Sequence, residues 1–388
     1  MKSLADQTPN PAMPTPDADE RARQDFAFTF RNYVTGELMP SVHQLYATKI
    51  EPAFRRAHGR PPESAREIRE AVTADSYFSF YASARRTSQE LIWNGVTDVV
   101  ERQLPRLIEN ARAASGAGGT LTLNPETPIP PYAVSLDIHC MPGGYAAEAA
   151  PDDVAAGAVY DRGVYLYLSG LAGPRNDAVG QLGAAFLKSR FPDFSPTAIL
   201  DLGCGVGHAT LPYVDAYPDA AVTGLDVGAG LLRYAHARAE SWGKKAHFVQ
   251  ANAEATGLPD ASFDLVMSHI VLHETSTKAL PAIFRECRRL LKPGGLMLHI
   301  DQPSFRHANP FQRFMQENET YYNNEPFWRT FRSTDLPAAA QAAGFAPDRI
   351  ATEILTSALV RQAQNNEKVA DESPEAKARG FEALLAWA

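Results

Sequence analysis

Residues 197–210 read TAILDLGCGVGHAT, an apolar run that ends in an acid and opens into glycines spaced G-x-G-x-G. Such a run, closed by glycine, is the pattern of a buried strand emptying into a tight turn. Bare backbone there lets a ligand approach with no Cβ in the way. The spacing narrows the ligand. A P-loop needs Lys-Ser or Lys-Thr after its last glycine, and His208-Ala209 stands there instead. A dinucleotide fingerprint sets its third glycine one residue later than Gly207. Asp201, two residues before Gly203, would repel a pyrophosphate and suits a cation.

Asp226 closes the next apolar run, AVTGLDV, nineteen residues beyond Gly207. That is where a carboxylate accepts hydrogen bonds from both hydroxyls of a ribose. The ligand is therefore read as an adenosine with a positive, phosphate-free tail, and S-adenosyl-L-methionine is that molecule. Further runs at 247–250, 263–268 and 296–301 alternate with helical patterns at 208–217, 228–242 and 276–291. Strands separated by helices of this length predict right-handed crossovers and a parallel, doubly wound sheet.

DLGCGVG, LDV, QANAEATGLP, SFDLVMSHIVLHE and ECRRLLKPGG follow one another over about 100 residues. Together they resemble the core of class I S-adenosylmethionine-dependent methyltransferases, in particular the type-11 branch with the ubiquinone/menaquinone C-methyltransferases. The resemblance runs from about Tyr165 to Phe345. The fold expected is α/β, a Rossmann-like, doubly wound, mostly parallel seven-stranded sheet with an added N-terminal, mainly helical domain. By the resemblance, Gly203, Gly205 and Gly207 let the loop approach the methionine part of the cofactor, and Asp201 helps place its ammonium. Asp226 holds the ribose and Val227 packs beside the adenine. Asn252-Ala253 stands where many relatives carry Asp-Ala at the adenine edge; the Asn carbonyl can still accept from the exocyclic amine. Ser268 and His269 match the positions facing the methionine moiety, and Tyr165 the tyrosine that relatives place over it.

The chain of 388 residues is 45% hydrophobic and 21% charged, long enough for two domains or one decorated domain. Its formal charge of −8 argues against coating nucleic acid. No run is long enough to span a membrane, residues 1–20 lack an apolar signal core, and the three cysteines show no zinc spacing. These features predict a cytoplasmic protein. Texture divides the chain into a disordered Pro- and Asp-rich tail (1–20), a helical domain (21–115), an extended lid or linker (116–175), the cofactor-binding domain (176–360) and a helical C-terminal tail (361–388). In the helical domain Val96, Val99, Val100, Leu104, Leu107, Ile108 and Ala111 line one face, and Pro105 is expected to kink or break it. These helices are a candidate homodimer surface.

The methyl acceptor is expected to be a small organic molecule, with O or C methylated. His273 and His139 are the candidate bases, since histidine suits removal of a proton from a hydroxyl or an acidic C–H. His139, Tyr165 and an aromatic insertion from Phe305 to Trp328 are expected to wall the acceptor pocket. His269-x-x-x-His273-Glu274 is not read as a ligand set, because its first histidine ends a strand; no metal is expected, and turnover is expected to survive chelators. Cys204 is read as a packing residue. The alternatives are a catalytically silent cofactor-binding or dimerisation subunit and a nicotinamide-dependent oxidoreductase.

Overall fold

A computed structural model describes residues 7–356 and 380–388. Eight strands are present among them: β1 (Thr120–Thr122), β2 (Ala198–Leu202), β3 (Ala221–Asp226), β4 (His247–Gln250), β5 (Phe263–His269), β6 (Leu291–Asp301), β7 (Ile350–Leu355) and β8 (Phe381–Trp387). They form one sheet in the order β1-β4-β3-β2-β5-β6-β8-β7. β8 runs antiparallel to both β6 and β7, and the pairs from β1 through β6 are parallel. Central parallel strands bury both faces, so their sequences are apolar throughout rather than alternating. β5 shows the division: Leu265 and Met267 join Ile199, Phe186 and Tyr213 on one side, while Val266 joins Leu200, Phe284 and Met297 on the other. β2 pairs with β3 on one side and β5 on the other, so strand order reverses at its carboxyl end. That reversal opens the crevice in which open α/β sheets bind ligands.

The expected seven strands are joined by β1, which comes from the segment read as lid or linker. It pairs with β4 in the register Thr120↔His247. Just beyond it the Asn124 amide donates to Gln250 Oε1 (3.1 Å) and the Thr127 hydroxyl to the Gln250 carbonyl (3.2 Å). The segment that follows is thereby held over the carboxyl ends of the strands.

N-terminal to it, helix Ser76–Ala113 runs unbroken through Pro105. A mid-helix proline costs ~3 kcal/mol, and the buried stripe Val96, Val99, Val100, Leu107 and Ile108, continuous across it, offsets that. This helix packs on helix Ala155–Tyr167, where a Cβ at Gly163 would fall 2.0 Å from the Trp93 ring, so only glycine fits.

Two readings from composition are corrected. Residues 7–17, taken as part of a disordered tail, form a strap bonded to the body. The Asn10 amide donates to the Tyr234 hydroxyl (2.8 Å), Asn110 to the Pro11 carbonyl (2.9 Å) and Trp242 Nε1 to the Pro9 carbonyl (3.0 Å). Proline and Asp here fix turns and caps rather than disorder; Asp17 makes a capping box with Glu20 at the start of helix Ala18–Tyr33. Residues 381–387, taken as part of a helical tail, are β8: FEALLAW favours helix intrinsically, but its burial between β6 and β7 decides. The rest of that expected tail, 361–379, lies outside the described residues.

Several strap hydrogen bonds at ~1 kcal/mol each make the tail structural. Deleting residues 1–14 is expected to lower stability by about 2 kcal/mol or more in a denaturant titration. An unchanged midpoint would show the strap to be ornamental.

Candidate active site

At the switch point a cavity of about 240 Å³ opens between the strand ends and the segment following β1. Its floor is the loop after β2. Gly203 and Gly205 adopt φ of +66° and +52°, and a Cβ on Gly203 would meet Val271 at 2.6 Å. Non-glycine residues pay ~1 kcal/mol or more in this left-handed region, before that clash is added. The bare loop therefore stands between two buried carboxylates. Asp226 accepts from the Gly205 amide through Oδ2 and the Gly228 amide through Oδ1, both at 2.9 Å. Burial nevertheless pushes its carboxyl above the ordinary 3.8. Asp201, 1% exposed, accepts the Thr210 hydroxyl at Oδ2 (2.6 Å), while its Oδ1 lies 3.9 Å from His269 Nδ1. That imidazole nitrogen is buried with no partner, since Tyr213 takes the other nitrogen at 3.1 Å.

Val227, Asn252, Ala253, Ser268 and His269 line the same cavity. Asn252 Oδ1 accepts from the Glu254 amide at 2.9 Å, which leaves one lone pair for a ligand. The Ser268 hydroxyl is tied to His299 Nδ1 at 2.7 Å. Cys204 is also in the wall, with its thiol pushed well above the usual range by burial and by Asp226 and Asp201, which leaves it unreactive at neutral pH.

Three expected features stand back from the cavity. Gly207 packs toward Leu211 and Phe248. Tyr165 is buried in the core between the N-terminal helices and helix Ala155–Tyr167. The face of that helix turned to the cavity is instead Tyr160, Val164 and Leu168, an i, i+4, i+8 row that the sequence carries and that fixes the phase. The aromatic insertion is the third. Phe311 stacks on Tyr46 (4.1 Å), Phe314 packs on Phe78 (5.5 Å) and Trp328 stands edge-on to His273 (5.2 Å). Phe311 and Phe314 fill the core under the N-terminal helices because helix Pro310–Glu317 packs on helix Ala65–Val72.

The roof is made by Pro130, Tyr132, Ala133, Ile138 and Tyr145. His139 and His273 come together here, yet neither lines the cavity; both reach Glu274, which does. His139 Nε2 is 2.9 Å from Glu274 Oε1 and His139 Nδ1 is 3.0 Å from Glu325 Oε1. His273 Nδ1 bonds Asp301 Oδ1 at 2.6 Å. Burial disfavours charge on both rings, but the carboxylates outweigh it: His139 is held well above 6.5 and His273 is raised to about 9. Two charged imidazoles are poor bases, and the group of this cluster that lines the cavity is the Glu274 carboxylate. Tyr145 donates to the same Glu274 oxygen at 3.0 Å. A second buried group, Asp161, is held well below the carboxylate range: burial opposes this, but Arg238 and bonds from His208 and Tyr234 prevail. His208 lines the cavity and stacks on Tyr160 at 5.5 Å, so the strap, through Asn10 and Tyr234, ends at a cavity wall.

Residues 199–295 match the family model of a methyltransferase domain. An uncharacterised methyltransferase of Synechocystis is 35% identical over 174 residues, covering 44% of this chain and 77% of that protein. The chain belongs to the class I S-adenosylmethionine-dependent methyltransferases. Trans-aconitate 2-methyltransferase of Methylobacterium radiotolerans is 36% identical over 135 residues, 34% of this chain and 48% of that one. Malonyl-[acyl-carrier protein] O-methyltransferase of Legionella pneumophila is 30% identical over 113 residues, and this methyltransferase spans 39% of its length. Phosphoethanolamine N-methyltransferase 2 of Haemonchus contortus, solved with S-adenosyl-L-methionine, overlays with a TM-score of 0.39 at 18% identity, covering 52% of this chain and 51% of that one. The family-model match begins at residue 199, after the N-terminal helices and after Pro130–Tyr145 of the roof.

The cradle fits the family's cofactor: a cationic amino-acid end beside Asp201 and a ribose at Asp226. Removing the Asp226 carboxylate leaves two ribose hydroxyls unpartnered, at ~1–3 kcal/mol. Asp226→Ala is expected to weaken S-adenosylhomocysteine binding roughly 5- to 150-fold by calorimetry. In the native protein, affinity is full while Asp226 is ionised and is lost as pH falls through its raised pKa, so the decline begins above the range of an exposed aspartate. PH-independent affinity between neutrality and pH 4 would contradict the assignment.

Proposed function

We propose that this methyltransferase methylates a small, uncharged or cationic organic acceptor with an apolar body, at oxygen or at an acidic carbon. The observation that carries this is the make-up of the cavity. Its charged walls are the carboxylates Asp201, Asp226 and Glu274, and among the described lining residues there is no Lys or Arg. An anionic acceptor would find no counter-charge there and would be repelled. Beyond the glycine cradle the walls are Tyr132, Ile138, Tyr145, Tyr160, Val164 and Leu168, which suit an apolar or aromatic body.

Bound S-adenosylmethionine supplies a methyl group on a sulfonium, already activated toward displacement. The protein's share is position, dryness and the proton. Asp226 and Asp201 anchor the two ends of the cofactor, and the roof residues exclude water. Alignment of two bound partners is worth up to ~7–11 kcal/mol. Glu274 faces the acceptor and takes its proton, while His139, His273 and Tyr145 fix the carboxylate from behind. General-base assistance of this kind contributes ~10²–10⁴-fold.

Glu274→Gln keeps the shape and removes the base. It is expected to lower kcat at least ~100-fold while the affinity for S-adenosylhomocysteine changes less than about twofold. The assay is methyl transfer from labelled cofactor into metabolite extracts, fractionated for a gain of one methyl. Tight cofactor binding with no transfer into any fraction would favour a silent cofactor-binding subunit, and full activity in Glu274→Gln would remove Glu274 from the mechanism.

A further inference from the structure

The roof contains more ligating power than proton transfer needs. His139, His273, Glu274 and Glu325 each turn one donor atom toward a common point, and these atoms lie within 4.8 Å of one another. The four come from three separate parts of the chain: the turn at 138–140, the loop after β5, and the end of the aromatic insertion. We propose that these side chains form a binding site for one divalent transition-metal cation, at the roof of the cofactor cavity.

Four observations converge on it. Glu325 is 1% exposed, and its Oε2 has no hydrogen-bond partner. A buried carboxylate oxygen without a hydrogen-bond donor is costly, and an ion taken up in exchange for the protons on His139 and His273 would give it a partner. Second, His273 Nε2 lies 3.9 Å from that oxygen and 3.9 Å from Glu274 Oε1. These gaps are too long for hydrogen bonds and close to the ~3–3.5 Å between ligand atoms that share a metal at ~2.1 Å; contraction by a few tenths of an ångström closes them. Third, His273 is oriented as metal-bound histidines are, with Asp301 on Nδ1 at 2.6 Å and Nε2 left to the ion. Asp301 is itself fixed by the Val271 and His273 amides. Tyr145 supports Glu274, and Asn323 donates to Glu325 Oε1 at 3.1 Å. Fourth, the chain accepts backbone strain to build the cluster. His139 itself is at φ +58°, and Asn324, beside Glu325, at φ +54°; such residues cluster at functional sites.

The donor set chooses among ions. Two imidazoles and two carboxylates suit Zn²⁺, Fe²⁺, Mn²⁺ or Co²⁺, whereas Ca²⁺ and Mg²⁺ prefer oxygen alone. The pair seen in sequence, His269 and His273, is not the set: His269 faces Tyr213 and Asp201, and His139 and Glu325 replace it. Glu274 belongs to both the cluster and the cavity wall, so a bound ion would sit behind that carboxylate and tune its basicity toward the acceptor. That consequence rests on the function proposed above; the binding site does not.

The test is titration of chelator-stripped full-length protein with Co²⁺, Zn²⁺ and Mn²⁺ salts, followed by calorimetry and, for Co²⁺, by visible d–d bands. One equivalent is expected to bind, with the Co²⁺ spectrum of a site carrying nitrogen and oxygen ligands. Glu325→Gln and His139→Gln are each expected to weaken it at least ~10-fold. S-adenosylhomocysteine binding serves as the fold control and reports on the methyltransferase reading separately. Wild-type protein that binds the cofactor product but none of the three ions overturns the proposal, as does a folded Glu325→Gln protein that binds Co²⁺ as tightly as wild type. If Glu325→Gln fails to fold, unaltered Co²⁺ affinity in His139→Gln overturns it equally.

Discussion

Two carboxylates buried at the ends of adjacent parallel strands, Asp201 and Asp226, set the terms for everything around them. Neither can remain charged there without donors, so the chain supplies Thr210 to one and the amides of Gly205 and Gly228 to the other. Supplying the Gly205 amide takes the loop after β2 through left-handed backbone, hence glycine. The same bare loop leaves room for a ligand whose positive end and ribose complete the carboxylates' bonding. Loop shape, glycine content and ligand charge are thus one constraint.

This half of the site was legible in sequence because its signals are local. An apolar run, an acid, spaced glycines and a second acid nineteen residues on fall within one βαβ unit, whose geometry fixes their relative positions. The roof was legible only in part. His139 was singled out as a candidate base, but Glu325 lies within the irregular insertion, and no periodicity ties it to His139. Their meeting depends on how the insertion packs under the N-terminal helices. The tyrosine over the cavity was misplaced by one helical phase: Tyr160 rather than Tyr165, a choice that the row Tyr160, Val164, Leu168 decides only once it is known which side of the helix faces Trp93.

The strap and β8 show a second limit. Proline-rich residues 7–17 read as disorder because composition reports average burial, whereas Asn10 and Ala12 are held by single, specific contacts. FEALLAW reads as helix because its residues favour one, yet a place between β6 and β7 overrides that preference. In both cases the deciding partner lies far along the chain. The strap also ties two regions that sequence separates: its Asn10 reaches Tyr234, which donates to Asp161, which in turn holds His208 in the cavity wall.

The account stands on the cradle being an adenosyl–sulfonium site rather than a dinucleotide site. Calorimetry of the purified protein against S-adenosylmethionine and, in parallel, against NAD measures this directly. Equimolar binding of S-adenosylmethionine with no heat from NAD is the result predicted. Binding of NAD with none of S-adenosylmethionine would contradict the reading of Asp201 and of the early third glycine, and with them the account.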